Sequence, residues 1–169
     1  MNIRGADSND VFAIGEIRVA AWRAAYQKFL PAAYLAALDP QANLDSLRAI
    51  LSSESPPFKL RIAEVRGEAA GFAIVGVARH SAAPGTFEIW ALNVLPAFWR
   101  RGIGTLLVED ALREAKGSGA GTVELWCIKG NDAAARMYLA CGFRRTDVTR
   151  ITSSLTGHSL EEFLYAHAF

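Results

Sequence analysis

A chain of 169 residues, 51% of them hydrophobic, is long enough to bury the core of a single domain. Its 18 Lys and Arg stand against 17 Asp and Glu, so no charge excess draws it toward nucleic acid or an anionic membrane. No apolar run is long enough to cross a bilayer, the opening MNIRGADSND is too polar for a secretory signal, and Cys127 and Cys141 lack metal-ligand spacing. One cytoplasmic domain over 1–169, with reduced thiols and no metal, is the expectation.

Ile3-Arg4 begins a short edge strand, and Ser8 or Asp10 is placed to cap a helix that runs through Ala20 to Tyr26. Trp22, Tyr26 and Phe29 recur at helical spacing, as core aromatics do. Pro31 starts a second helical turn, and Pro40 leads a third segment, Gln41 to Leu51. After a polar loop, Phe58 to Val65 and Ala69 to Val77 alternate around Arg66-Gly67-Glu68, which predicts a hairpin. A loop from His80 to Gly85 leads into a strand from Thr86 to Val94. The long helix that follows carries Ile103, Leu106, Leu107, Ala111 and Leu112 on one face, with Glu109, Asp110, Arg113 and Glu114 outward. Gly117 to Gly121 ends it. Thr122 to Ile128 is the next strand and Asn131 to Cys141 the next helix, with Gly142 suited to its C′ position. Phe143 to Ile151 and Leu160 to Ala166 complete the sheet, with Gly157 in the turn between them. This order implies an α/β (α+β) fold, a mixed sheet with helices on both faces.

The chemistry is concentrated in LPAFWRRGIGT, between strand and long helix. Gly102 and Gly104 carry no Cβ, so a ligand can approach the backbone closely. The first helical turn presents N–H groups without intrahelical partners at the positive end of the helix dipole. Phosphate and pyrophosphate bind at such ends. No Gly-Lys-Ser/Thr run makes this a P-loop. The Rossmann fingerprint is met at Gly102-Ile103-Gly104 and by the spacing to Glu124. Leu107 stands at its third glycine, however, and Pro96 to Arg101 separate the glycines from their strand.

The stretch resembles the central signature of GNAT superfamily N-acetyltransferases, Arg/Gln-x-x-Gly-x-Gly/Ala after a strand and an x-x-Pro turn. Here the hexad is Trp99-Arg100-Arg101-Gly102-Ile103-Gly104, preceded by Val94-Leu95-Pro96, with Trp99 where Arg or Gln is usual. A second signature follows as Leu125 to Asn131 and then AAARMYLACGF, ending at Phe143. The resemblance implies a mostly antiparallel sheet of six to seven strands, with the parallel fourth and fifth strands splayed at one end. It implies that acetyl-CoA enters the gap, its pantetheine arm along Leu92, Asn93 and Val94 as an added strand. Arg100, Arg101, Gly102, Ile103, Gly104 and Thr105 would then hold the pyrophosphate, with Asn131 and Ala134 beside the arm.

On the helix from Asn131, residues 131, 134, 135 and 138 share one face. Asn131 either caps the helix or bonds the coenzyme arm, and Ala134 and Ala135 leave room for a thin chain. Tyr138 follows where the resemblance places a phenol near the thioester sulfur; the alternative is a packing role alone. The expected reaction is direct acetyl transfer to a primary amine of a small molecule or peptide. Tyr138, with an ordinary pKa of about 10, protonates the departing thiolate. A backbone N–H near Val94 stabilises the oxyanion. Glu88, placed with Trp90 and Leu92 by the two-residue period, is the expected base, with Glu124 as rival and a solvent-facing acid as the plain alternative. His80, His158 and His167 are dispersed, without metal or triad spacing. Tyr26, Trp90 and Trp126 are candidate acceptor walls, and Arg150 and Glu161 candidate readers of substrate charge. A non-catalytic acyl-CoA-binding regulator and a nucleotide-binding oxidoreductase stay open, as do a homodimer and the acceptor's identity.

Overall fold

The computed structural model describes residues 1–80, 83–154 and 156–169. Strand β1 (Asn2–Gly5) leads into helices α1 (Val11–Ala25), α2 (Ala32–Ala36) and α3 (Leu44–Leu51). The hairpin β2 (Phe58–Val65) and β3 (Glu68–Val77) is followed by β4 (Thr86–Val94), a 3₁₀ turn at Pro96–Phe98, and α4 (Ile103–Gly117). Then come β5 (Thr122–Ile128), α5 (Asp132–Ala140), β6 (Arg144–Thr152) and β7 (Leu160–Ala168). The strands form one seven-stranded sheet in the order β1-β2-β3-β4-β5-β7-β6. All neighbours are antiparallel except β4 and β5. Ser81 and Ala82, in the expected loop from His80 to Gly85, lie outside the described residues.

The sheet is covered on both faces. Ile14 and Ile17 of α1 pack on Leu60, Ile62 and Phe72, whereas Ile103 and Leu107 of α4 pack on Ala63, Ala70, Ala73 and Val94. A third cluster joins Val108 and Leu112 of α4 to Val75, Ile89, Val123, Leu125, Tyr138, Phe143 and Tyr165. The apolar stripe expected on α4 is therefore its core face, with Leu106 only half-buried. No helix among the described residues is long and apolar enough to cross a membrane.

Four expectations need correction. Asp10 precedes α1 but does not cap it: its backbone is already helical, and its carboxylate is occupied elsewhere. Both terminal nitrogens of Arg4 donate to it at 2.7 Å, and the Asp7 N–H at 2.8 Å. The segment after Pro40 turns before it coils, so α3 starts at Leu44, after Asn43 at φ 65°. Asp110 is not outward but buried, because Arg61 of β2 reaches it with Nε at 2.6 Å. Paired in this way, a carboxylate tolerates burial.

The fourth correction concerns β4. Val75 pairs with Ile89 and Ile74 with Ala91, so Trp90 is an inserted residue, a β-bulge. The insertion flips the alternation. Trp90 packs on Phe58, on the α1 side, and Ala91 joins the same side, while Leu92 packs with the α4 clusters. Leu92 therefore does not share a face with Glu88 and Trp90.

Candidate active site

β4 and β5 pair only where Thr86–Glu88 meets Thr122–Glu124, so the rest of β4 has an open edge toward β5. The Leu95 N–H is bound to the Ala70 carbonyl at 2.9 Å. By strand alternation the backbone groups of Leu92 and Val94 then face the gap. Trp99 closes one of them: its indole N–H donates to the Val94 carbonyl at 2.7 Å. The side chain that replaces the usual Arg or Gln thus ties the glycine turn to the end of β4.

The turn itself is made by left-handed backbone at Arg100 (φ 61°) and Gly102 (φ 81°), the latter leading directly into α4. No side chain caps α4, which leaves its first N–H groups available for an anion. Gly104 leaves room for Met137: a Cβ there would lie 2.5 Å from the Met137 sulfur and displace that side chain. Open strand edge, uncapped helix and glycine cradle line one cleft of about 890 Å³. They fit a long ligand with a diphosphate near one end. Leu92, Asn93, Val94, Arg100, Gly102, Ile103, Gly104, Thr105, Asn131 and Ala134 all line it. Arg101 does not; its guanidinium lies over the Phe98 ring, 5.4 Å from the centroid.

Asn131 acts as the N-cap of α5, its amide oxygen accepting the Ala134 N–H at 3.4 Å, while it also borders the cleft. Ala135 packs into the core rather than lining the cleft. The helix ends in a Schellman turn on Gly142 (φ 86°), with Phe143 N–H on the Tyr138 carbonyl and Gly142 N–H on that of Leu139, both at 3.1 Å. Tyr138 is buried against Phe143 and Tyr165. Burial, then the neighbouring Cys127, Tyr26 and Cys141, push its phenol well above the ordinary value of 10.0. Its hydroxyl has no hydrogen-bond partner among the described residues.

A second cavity, about 900 Å³, opens on the α1 side of the sheet. Trp22, Tyr26, Leu92, Asn93 and Tyr138 line both cavities, so the two meet at these residues. Trp22, Tyr26 and Phe29 form the expected aromatic series, with centroids 5.1 and 6.4 Å apart, yet they wall clefts instead of filling the core. Trp90, Trp126 and Arg150 line the second cavity as well. Glu161 does not: it pairs with Lys129 on the surface at 2.8 Å. The neighbouring Glu162 lies in the cavity instead, bonded to Arg150.

Glu88 is also in this cavity, 2% exposed, not a solvent-facing acid. The Arg79 guanidinium and backbone N–H hold its two oxygens, and that guanidinium lies over Trp90. Glu124, its neighbour across the β4–β5 pair, lines neither cavity. Burial, then the Glu88 charge, push the Glu124 carboxyl up from 4.5. Cys127 is buried and its thiol pushed up to about 12, which keeps it unreactive. His158 packs edge-on to Tyr34 and His167 lies between Phe143 and Phe169, and neither lines either cavity. Sequence reasoning missed Arg79, whose hold on Glu88 arises only from the tertiary arrangement.

Comparison with known proteins agrees with this geometry. Residues 19–143 match the model of the acetyltransferase (GNAT) family. The chain is 34% identical over 95 residues to the uncharacterized N-acetyltransferase MJ1207 of Methanocaldococcus jannaschii, covering 53% of this chain and 40% of that relative's length. The fold is similar to that of the PaiA N-acetyltransferase of Thermoplasma acidophilum in complex with coenzyme A (TM-score 0.79, 17% identity, 99% and 98% of the two chains). It is also similar to the ribosomal-protein-alanine N-acetyltransferase of Brucella melitensis (TM-score 0.76, 20% identity, 100% of both chains). With its fold, its two signatures and a family match over most of its length, the chain belongs to the acetyltransferase (GNAT) family.

Proposed function

We propose that the protein is an acyltransferase that moves an acetyl group from acetyl-CoA to a primary amine of a small molecule or peptide, by direct attack in a ternary complex. The observation that carries the reading is the placement of Tyr138 where the coenzyme cleft meets the second cavity. Two substrates entering from the two sides converge on that phenol. Bound in the cleft, acetyl-CoA supplies an activated thioester whose thiolate the amine displaces.

The chain's own groups then divide the work. The free N–H groups at the start of α4 hold the pyrophosphate, and the gap-facing backbone of Leu92 holds the arm. The Val94 N–H, on the open edge, stabilises the oxyanion; one such donor contributes about 2.7–4 kcal/mol. Tyr138 keeps its proton at neutral pH because burial disfavours the phenolate, and it donates that proton to the departing sulfur. Glu88 is the proposed base, acting through water while Arg79 fixes its carboxylate. The free thiols Cys127 and Cys141 suit a reducing cytoplasm.

Calorimetry with acetyl-CoA and with NAD tests the coenzyme, and thiol release with an amine panel tests transfer. Heat with acetyl-CoA, none with NAD, and amine-dependent thiol release is the expected outcome. Binding without release from any amine would make the protein a sensor instead.

A further inference from the structure

The second cavity carries two polar features that the transfer chemistry leaves unengaged. One is the Asn93 side chain, a polar group only 7% exposed whose carboxamide makes no hydrogen bond among the described residues. It lies where the two cavities meet, beside Tyr138. Its polar atoms are not sealed in the core but open onto the cavities, where a ligand that enters can bond them.

The other is Arg150 on β6. Its guanidinium lies over the Trp126 ring, 4.1 Å from the centroid, and only its Nε is engaged, donating to Glu162 at 2.6 Å. Stacking on the indole and the bond at Nε fix the plane of the fork, while the two terminal nitrogens have no acceptor among the described residues. A planar fork held in this way is built to take a carboxylate through both terminal nitrogens. Order of burial sets the sign of the charge on offer. In the Arg150–Glu162 pair the cation is the outer member, its side chain 27% exposed against 13%. In Arg79–Glu88 the order is the same, 44% against 3%. Arg79 also engages its partner through one guanidinium nitrogen, with its backbone N–H on the second oxygen, but it stands farther out than Arg150, which leaves Arg150 as the inner cation facing an incoming group.

We propose that the acceptor is an amine that also bears a carboxylate, an amino acid or a compound of that type. Its amine lies at Asn93, and its carboxylate on the terminal nitrogens of Arg150. The proposal rests on the acetyltransferase reading above and names the substrate class of the same site. Asn93 accepts a hydrogen bond from the amine and so orients its lone pair toward the thioester. The rings of Trp22, Tyr26 and Trp90 enclose the carbon skeleton between the two ends.

The test is thiol release by the full chain at saturating acetyl-CoA, with acceptors in matched pairs. Phenylalanine, leucine and 6-aminohexanoate are each compared with their carboxamides, and spermidine serves as the cationic control. For the α-amino acids, the carboxamide's amine is the less basic and hence the more available as free base, so a preference for the acid runs against intrinsic reactivity. We expect kcat/KM to favour the acid of at least one pair by about tenfold to hundredfold, the scale of a charge-assisted hydrogen bond. Arg150→Gln should abolish that ratio, chiefly through KM, and Arg150→Lys should retain part of it. The ratio compares two acceptors on one protein, so loss of folded material in a variant does not imitate the effect.

A ratio near one in every pair, a preference for the carboxamides, or best turnover with spermidine overturns the proposal and leaves acetyl transfer standing. So does coenzyme binding without turnover of any carboxylate-bearing member. Failure of the protein to bind coenzyme refutes the underlying reading instead.

Discussion

Removing the Tyr138 hydroxyl should separate activity from stability. The phenol is buried, and its hydroxyl has no hydrogen-bond partner among the described residues. Tyr138→Phe therefore strands no donor or acceptor, and the ring contacts with Phe143 and Tyr165, at 6.1 and 6.3 Å, survive. A change of that kind is close to neutral or stabilising, so the melting temperature should stay within about 2 °C of wild type or rise. Turnover should behave otherwise. General acid catalysis contributes roughly 10²–10⁴-fold, or about 2.7–5.5 kcal/mol of barrier. The expected result is a drop of that size in kcat at saturating amine, with the coenzyme dissociation constant changed by less than about threefold. Thiol release, calorimetry and a thermal melt on one preparation read all three quantities. A kcat within about threefold of wild type would remove the phenol from the mechanism.

Trp99→Phe keeps the ring and deletes the bond to Val94; coenzyme affinity should fall roughly 2- to 13-fold by calorimetry, and an unchanged value would show that the bond does not shape the cradle. Gly104→Ala drives a methyl into the Met137 sulfur, an overpacking of about 1–3 kcal/mol that lowers the melting temperature and that Met137→Ala in the same chain should relieve. Glu88→Gln should move the pH–rate profile to higher pH, and a profile superimposable on wild type rules Glu88 out as base. Asp10 titrates below its ordinary 3.8, chiefly because Arg4 bonds its charged form. Its contribution to stability is thus complete above that value and drains away as pH falls below it. Thermal melts from pH 7 to 3 should show a shallower acid loss in Arg4→Met, and identical slopes would contradict the pairing.

Most of the architecture is local, and local features are legible. The glycine turn, the α4 stripe, the β2–β3 hairpin and the Gly142 C-cap each follow from neighbours within a few residues. Two of the misread positions, Asp110 and the face of Leu92, depend on partners far along the chain, whereas Asp10 and the start of α3 are set within six residues. Asp110 is buried because Arg61 waits on β2, and the Asp10 carboxylate does not cap α1 because Arg4 on β1 takes it. The bulge at Trp90 appears only when β4 is paired with β3, and it alone decides that Leu92 and Asn93 exchange faces. For the site, the open edge along Leu92–Val94 was accessible from the motif, whereas the Arg79–Glu88 clasp was not. Arg101 lies off the cleft wall because Phe98, three residues earlier, offers its guanidinium a ring.

The Schellman turn on Gly142 gives Tyr138, the proposed proton donor, an anchor outside the helix that carries it. Phe143 N–H grips the Tyr138 carbonyl, and Phe143, 2% exposed, is itself fixed in the interior. The phenol therefore inherits its aim from a residue that meets neither substrate. Replacing Gly142 would strain a positive φ and press a new side chain toward His167, 3.2 Å away. Catalytic rate in this protein should therefore be vulnerable at a site remote from its reactants, through misalignment and not through lost contacts.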